Sequence, residues 1–177
     1  MDRRELAAAI VAVARLTGEF RLRSGATASE YFDKYRFEAR PHLLRAIAQH
    51  LAPLVPPSTS VLAGLELGGV PIATALSLET GLPLAFVRKA AKAYGTCRLA
   101  EGAEVAGREV LVIEDVVTSG GQVVASTTDL RALGATISNA LCVVDRESGG
   151  FEALANAGVR LSPLFTKREL DAGDAAR

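Results

Sequence analysis

Two acidic residues and a glycine-containing turn follow an apolar run in the segment VLVIEDVVTSGG, residues 110–121. Glu114 and Asp115 carry carboxylates, which accept hydrogen bonds from hydroxyl groups and bind divalent cations. The turn at residues 118–121 suits an anion, because glycine lets backbone N–H groups approach a ligand and a helix N-terminus carries partial positive charge. The segment therefore predicts a phosphate site beside a pair of carboxylates that face sugar hydroxyls or a metal ion.

Other phosphate-binding patterns are absent from the sequence. It contains neither GxxxxGK[ST] nor GxGxxG, and GLELGG at residues 64–69 has a different spacing. The structural alternative is a strand with acidic exit residues, followed by a turn that only caps a helix. Because both acids and the glycine turn follow one apolar strand, we favour a binding site.

The elements around this segment predict an α/β fold. Apolar runs occur at residues 61–63, 84–87, 110–113 and 137–144, and predicted helices at residues 69–81 and 121–133 separate them. Nearly continuous apolar strands alternating with helices indicate a mostly parallel central sheet flanked by helices on both faces. Ligands of such sheets bind beyond the carboxyl ends of the strands, where Glu114 and Asp115 are expected.

The N-terminal part has a different pattern and predicts a small hood, which we define as residues 1–40. A first helix is expected to run to about Leu16, followed by extended segments at residues 20–22 and 31–37. The chain is therefore interpreted as a single domain, residues 1–177, with the α/β core at about residues 41–165. A second helix is expected to begin at Pro41, and the tail at residues 171–177 is expected to fray.

Composition limits the possible partners. The 177 residues include 20 basic and 20 acidic side chains, so no overall charge attracts nucleic acid or an anionic membrane. No apolar run approaches the roughly 20 residues that span a bilayer. Two cysteines do not make a disulfide framework, and Arg15 interrupts the apolar run that a signal peptide requires. We therefore expect a cytoplasmic protein that binds neither nucleic acid nor membrane.

The segment at residues 110–121 resembles the phosphoribosyl pyrophosphate (PRPP) signature of type I phosphoribosyltransferases, although Gln122 follows it where the family usually has a small hydroxyl residue. Four further segments resemble orotate phosphoribosyltransferases. FRLRSGATASEYFD is similar to the substrate hairpin, with Arg23 at its basic position, and GLELGGVPIATALS to the pyrophosphate loop and the helix after it. FVRKAAKAYGT is similar to the mobile catalytic loop, and VVDRESGG to the strand end whose arginine, here Arg146, contacts orotate.

The resemblance implies that orotate and PRPP react to give orotidine 5′-monophosphate and pyrophosphate with Mg²⁺ as cofactor. It assigns catalysis to Arg88, Lys92 and Asp115. The residues that it assigns to PRPP are Gly68, Gly69, Arg88, Lys89, Lys92, Tyr94, Glu114, Asp115, Val116, Val117, Thr118, Ser119, Gly120, Gly121 and Gln122. Those that it assigns to orotate are Arg23, Tyr31, Phe32, Thr118 and Arg146.

The same resemblance implies further features of the enzyme. Mg²⁺ is held mainly through PRPP, with Glu114 and Asp115 as candidate direct ligands. The chain forms a homodimer in which the catalytic loop reaches the neighbouring subunit. Tyr94 stands where many members have histidine, which weakens an acid–base role at that position.

Two alternatives remain open from the sequence. One is a phosphoribosyltransferase for another nucleobase or small aromatic acid, which shares every PRPP residue. The other is a PRPP-sensing regulator without catalysis, against which the basic residues 88–92 and the missing nucleic-acid module count. All three readings expect a sugar against the paired acids. A ligand-bound structure that placed the sugar elsewhere, or that showed Asp115 buried in the interior with nothing bound beside it, would contradict them.

Overall fold

A computed structural model describes residues 1–21, 25–90 and 98–175 of the chain. The strands in these ranges are β1 (Arg15–Arg21), β2 (Thr27–Phe32), β3 (Val61–Leu65), β4 (Leu84–Val87), β5 (Ala100–Gly102), β6 (Glu109–Val117), β7 (Thr136–Asp145) and β8 (Arg160–Thr166). The helices are α1 (Arg3–Ala14), α2 (Tyr35–Glu38), α3 (Pro41–Leu51), α4 (Gly69–Thr80), α5 (Gly121–Ala132), α6 (Gly150–Asn156) and α7 (Lys167–Ala175). None of the helices in the described part of the chain is long and apolar enough to span a lipid bilayer.

Six strands form the central sheet in the order β5-β4-β3-β6-β7-β8. All neighbouring pairs are parallel except β4 and β5. One apolar cluster lies between the sheet and α1, α3, α4 and α7, and a second packs α5 and α6 against the opposite face. The predicted fold class, a mostly parallel sheet flanked by helices, is therefore confirmed.

The chain leaves the sheet in opposite directions on either side of its centre. From β3 it passes through α4 to β4, whereas from β6 it passes through α5 to β7. The loops after β3 and β6 therefore flank one crevice at the carboxyl edge of the sheet. Open α/β sheets bind their ligands at such a switch point.

The hood differs from its prediction at two places. Helix α1 ends at Ala14, not near Leu16, because Arg15 already pairs with Phe32 in the separate antiparallel sheet of β1 and β2. The predicted extended segment at residues 31–37 is also wrong beyond Phe32, where the chain turns into α2. Buried Phe37 then lies 6.2 Å from the Phe32 ring and belongs to the main apolar cluster.

The C-terminal tail, for which the sequence predicts fraying, forms a helix through residue 175. Thr166 and Glu169 form a capping box, in which each backbone N–H donates to the other side chain. Leu170 is buried against the main cluster. Asp171 pairs with both Arg15 and Lys167, which holds α7 beside the hood.

Two glycines provide a matched test of the packing at the crevice, because each begins a helix that follows a central strand. A Cβ on Gly69 would lie 2.3 Å from the carbonyl oxygen of Ile113, whereas a Cβ on Gly121 would meet nothing closer than Ser119 Oγ at 3.9 Å. We expect Gly69→Ala to lower the free energy of unfolding by roughly 1–3 kcal/mol. Gly121→Ala should change it by less than about 0.5 kcal/mol.

Urea unfolding followed by circular dichroism measures both values. Equal stabilities of the two variants would contradict the close approach of α4 to β6.

Candidate active site

Strand β6 continues through both acidic residues, so Glu114 and Asp115 lie inside the strand rather than after it. Parallel pairing with β7 extends to Val117, because the apolar Val116 and Val117 continue the strand and its backbone bonds. Asp115 is completely buried and Glu114 nearly so. The Asp115 carboxylate is therefore covered at the crevice in this structure.

The buried Asp115 carboxylate nevertheless has partners on both oxygens. Oδ1 accepts a hydrogen bond from the Val116 N–H at 2.5 Å. Oδ2 lies 2.6 Å from Lys34 Nζ, in an ion pair whose angles fall outside hydrogen-bond geometry. On the remaining side Gly68 approaches so closely that a Cβ there would lie 1.4 Å from Oδ2. The hood thus supplies a counter-ion to the centre of the sheet.

Two further carboxyl groups surround this ion pair. Glu114 Oε1 accepts a hydrogen bond from the Asp115 N–H at 3.0 Å, and Glu38 of α2 is buried beside them. Burial, and next the charge of Asp115, raise the pKa of Glu38 and of Glu114 to about 9. Burial alone would lower the pKa of Lys34, but the contact with Asp115 raises it. At neutral pH the cluster therefore holds one ion pair and two protonated acids.

The turn after β6 leaves the start of α5 open. Gly120 is the N-cap residue with φ 76°, a left-handed conformation that favours glycine, and no side chain caps the helix. Thr118 and Ser119 are exposed on this turn. Gln122 donates instead to Ser126 Oγ within the helix at 3.1 Å. Uncapped N–H groups beside two hydroxyl groups can bind a phosphate.

The loop after β3 is tied to the start of the basic segment. Glu66 Oε1 accepts a hydrogen bond from the Lys89 N–H at 2.6 Å, and the Glu66 N–H donates to the Val87 carbonyl at 2.8 Å. Arg88 Nε is buried and has no hydrogen-bond partner within the described ranges. Because buried polar groups are nearly always satisfied, this donor suits a ligand oxygen.

A cavity of about 260 Å³ lies between the hood, the end of β7 and α7. It brings together Tyr31, Phe32 and Arg146, which the sequence assigned to the base. The Arg146 N–H donates to the Val117 carbonyl at 2.8 Å, so the backbone of this arginine lies beside the start of the turn at residues 118–121, here called the phosphate turn for its predicted ligand. Its guanidinium carbon lies 5.4 Å from the centre of the Phe32 ring.

Several predicted site residues lie outside the described ranges or away from the cavity. Arg23, Lys92 and Tyr94 lie outside the described residues. Thr118 is described but does not line the cavity. Glu147, the neighbour of Arg146 in the chain, pairs with Arg168 at 3.1 Å.

Sequence reasoning missed six charged residues of the site. The acid cluster contains Lys34 and Glu38, and the cavity wall contains Arg15, Glu30, Lys167 and Asp171. The capping-box pattern TKRE at residues 166–169 was the signal that would have revealed α7 and hence Lys167. For Lys34, Glu38 and Arg15 the sequence contains no comparable signal, because their roles depend on contacts between distant segments.

Comparison with known proteins agrees with this geometry. Residues 37–162 match the model of the phosphoribosyl transferase domain family. Orotate phosphoribosyltransferase of a Nocardioides species is 56% identical over 94% of this chain and 93% of its own length. That of Halobacterium salinarum is 47% identical over 86% of this chain and 87% of its own length.

A solved structure has the same fold. Orotate phosphoribosyltransferase of Mycobacterium tuberculosis, crystallised in complex with PRPP, is 29% identical, with a TM-score of 0.83 over 97% of this chain and 99% of that one. The chain therefore belongs to the phosphoribosyl transferase domain family, and within it to the orotate phosphoribosyltransferases, as its motifs predicted.

The acid cluster predicts a specific dependence of stability on pH. The pKa of Glu38 is about 9 in the folded protein but close to 4.5 in an unfolded chain. The folded state therefore binds more protons at Glu38 between these values, so the contribution of Glu38 to stability is greatest below pH of about 4.5 and falls as pH rises towards 9. Glu38→Gln removes this pH dependence, because the glutamine side chain does not titrate. At pH 8.5 we expect its melting temperature to exceed that of the native protein by at least about 2–4 °C, the shift that 1 kcal/mol produces in a chain of this size.

Calorimetric scans at pH 5 and pH 8.5, in buffer without divalent cations, test this expectation. Glu79→Gln, an exposed acid on α4, is the matched control and should follow the native protein at both pH values. If Glu38→Gln raised the melting temperature equally at pH 5 and pH 8.5, the result would contradict the raised pKa of Glu38.

Proposed function

We propose that the chain catalyses phosphoribosyl transfer from PRPP to orotate, which gives orotidine 5′-monophosphate and pyrophosphate in the synthesis of UMP. The observation that supports it most is the bond between the Arg146 N–H and the Val117 carbonyl. It joins the start of the phosphate turn to an arginine that suits the orotate carboxylate. The relatives that are 56% and 47% identical are both named orotate phosphoribosyltransferase, which favours this activity over transfer to another base and over a regulator without catalysis.

In the proposed reaction, orotate N1 attacks the anomeric carbon of the ribose while pyrophosphate leaves. The uncapped start of α5, with Thr118 and Ser119, holds the 5′-phosphate. Glu114 lies at the sugar, where carboxyl oxygens accept bonds from the hydroxyl groups. Arg88, Lys89 and Lys92 supply positive charge that stabilises the departing pyrophosphate anion. Gly68 and Gly69 add backbone donors.

Mg²⁺ fits this site as a metal that enters with PRPP. Among residues 1–21, 25–90 and 98–175 no group of three or more His, Cys, Asp or Glu side chains is arranged to hold a metal ion. Proteins commonly hold Mg²⁺ through one or two carboxylates together with substrate phosphates. Glu114, if it releases its proton, and Asp115, if it leaves Lys34, are the carboxylates that would contribute. Bound there, Mg²⁺ would stabilise negative charge on the pyrophosphate.

The cavity beside Arg146 suits orotate in shape and charge. Its polar wall consists of three basic and two acidic side chains. The excess of one positive charge matches a base that carries a single carboxylate. Arg146 can bind that carboxylate through two parallel N–H bonds, a geometry that lysine lacks. Tyr31 and Phe32 lie over the same cavity as flat surfaces for the pyrimidine ring.

The organisation of the protein is also part of the proposal. Residues 1–177 form one domain, which is supported by the shared apolar cluster of α1, α3, α4 and α7. Two copies form a homodimer in the cytoplasm, in which the catalytic loop of each subunit reaches the other, as the family resemblance implies. Light scattering after size-exclusion chromatography tests the dimer.

The direct test follows orotate by its ultraviolet absorbance in the presence of PRPP and Mg²⁺. Turnover with orotate supports the proposal. Turnover only with uracil or hypoxanthine would indicate a phosphoribosyltransferase for another base. Binding of PRPP without turnover of any base would indicate a regulator.

Arg146→Ala should weaken the binding of orotate and leave the binding of PRPP nearly unchanged. A hydrogen bond to a charged group contributes roughly 1.5–3 kcal/mol, so we expect the KM for orotate to rise about 10- to 100-fold. The KM for PRPP should change less than about twofold, because Arg146 does not contact its phosphates in the proposal.

Arg168→Ala is the matched control, since Arg168 is 86% exposed and pairs with Glu147 outside the cavity. Equal losses for both substrates in Arg146→Ala would argue against its role in the base pocket.

Lys92→Ala should lower kcat by more than about tenfold, because it removes charge that stabilises the leaving pyrophosphate in the transition state. Arg98→Ala is the control, as Arg98 follows the loop, is exposed and pairs with Glu104 at 2.7 Å. Steady-state kinetics with saturating substrates measures both. An unchanged kcat would remove Lys92 from the catalytic residues.

A further inference from the structure

Helix α7 begins at the strand end that carries Arg146, beside the cavity that we call the base pocket. It continues β8, whose last residue, Thr166, pairs with Asp145 directly before Arg146. The Arg168 N–H then donates to Glu147 Oε2 at 2.9 Å, directly after Arg146 in the chain. The first turn of α7 is therefore held by contacts on both sides of the arginine that the proposed function assigns to the base.

The second turn of α7 reaches the hood. Asp171 pairs with Arg15 of β1, and the Cα partner of Arg15 in β2 is Phe32. The Asp33 N–H donates to the Ala14 carbonyl at 2.8 Å, which closes the same end of the two-stranded sheet. A carboxylate on α7 is therefore connected, through one arginine and one strand pair, to a ring that lines the base pocket.

The two oxygens of Asp171 have different partners. Oδ1 contacts Arg15, and Oδ2 accepts a hydrogen bond from Lys167 Nζ at 2.6 Å. Lys167 lies on α7 itself, four residues before Asp171, so this pair stays within one helix. Arg15 is the partner that connects α7 to another element.

The helix is the fixed side of this connection, and the hood sheet is the side that it positions. Leu170, the neighbour of Asp171, is buried in the main apolar cluster. Every residue of β1 and β2, in contrast, is at least partly exposed. A two-stranded sheet that buries so little has only marginal stability of its own, so its position depends on tethers to the rest of the chain.

We propose that Asp171 is a positioning residue for the base, which holds the hood sheet through Arg15 so that Phe32 and Arg146 enclose orotate together. This inference rests on the proposed function for the identity of the base. It gives the C-terminal helix a part in the selection of the base and none in the binding of PRPP.

Asp171→Asn separates positioning from charge. The exchange raises the net charge of the pocket wall by one, so an effect of charge alone would bind the orotate carboxylate more tightly. Positioning predicts the opposite. We expect the KM for orotate to rise about three- to fivefold, the size of effect that one partly exposed ion pair can produce. The KM for PRPP and the kcat at saturating orotate should stay within about twofold of the native values, because only binding of the base is weakened.

Glu104→Gln is the matched control, since Glu104 also belongs to an exposed ion pair, with Arg98 at 2.7 Å, and lies outside the base pocket. It should leave both KM values unchanged. Steady-state kinetics with orotate and PRPP varied in turn measures the two variants. Thermal melting should show both folded, because each exchange affects partly exposed groups and leaves no buried charge. Equal increases of both KM values in Asp171→Asn would indicate a general loss of structure and overturn the proposal.

A double-mutant cycle tests the connection through Arg15. If Asp171 acts through Arg15, the Arg15→Gln/Asp171→Asn double variant has the same KM for orotate as Arg15→Gln alone. Multiplied increases in the double variant would show that Asp171 acts on the base by another route and would overturn the proposal. A KM for orotate that stays native or falls in Asp171→Asn would also overturn it. Absence of orotate turnover by the native protein would instead reject the proposed function.

Discussion

A carboxylate buried at the centre of a parallel sheet is the constraint on which the site depends. Asp115 is wholly inaccessible to solvent, and an unpaired buried charge costs several kcal/mol. The sheet itself offers the backbone N–H of Val116, while the counter-ion comes from Lys34 in the hood. The hood is therefore held over the crevice by electrostatics as well as by apolar contacts such as that of Phe32 with Phe37. Any sequence change that removes one charge of this pair leaves the other without compensation.

Close backbone approach is the second constraint, and it gives the glycines after β3 a role in packing. Added Cβ atoms would collide with the Asp115 carboxylate at Gly68 and with the Ile113 carbonyl at Gly69. From the sequence, these glycines suggest only donors to a phosphate. In the structure they also allow α4 to lie directly against β6, which brings the loops after the two central strands to one crevice. The packing therefore requires the same small residues that the proposed function uses as donors to pyrophosphate.

The sequence predicted the central sheet well because its strands are apolar runs, whose burial on both faces leaves a pattern that does not depend on distant residues. It failed where an element depends on partners elsewhere in the chain. Acidic residues normally mark a strand exit, yet pairing with β7 carries β6 through Glu114 and Asp115. The motifs named Arg146 and the turn at residues 118–121 as site candidates, since both signals are local. Lys34 was not identified, because only the folded chain brings it to Asp115.

The two ends of the chain meet at the base pocket, and their interactions suit recognition more than stability. Asp171 of α7 pairs with Arg15 and with Lys167, and all three side chains are partly exposed. Exposed ion pairs contribute only about 0–1 kcal/mol, so the burial of Leu170 explains the docking of α7 better than these charges do. The charges instead define the cavity wall beside Arg146. In the proposed function this cavity selects the base, whereas the crevice at the sheet centre holds the sugar phosphate.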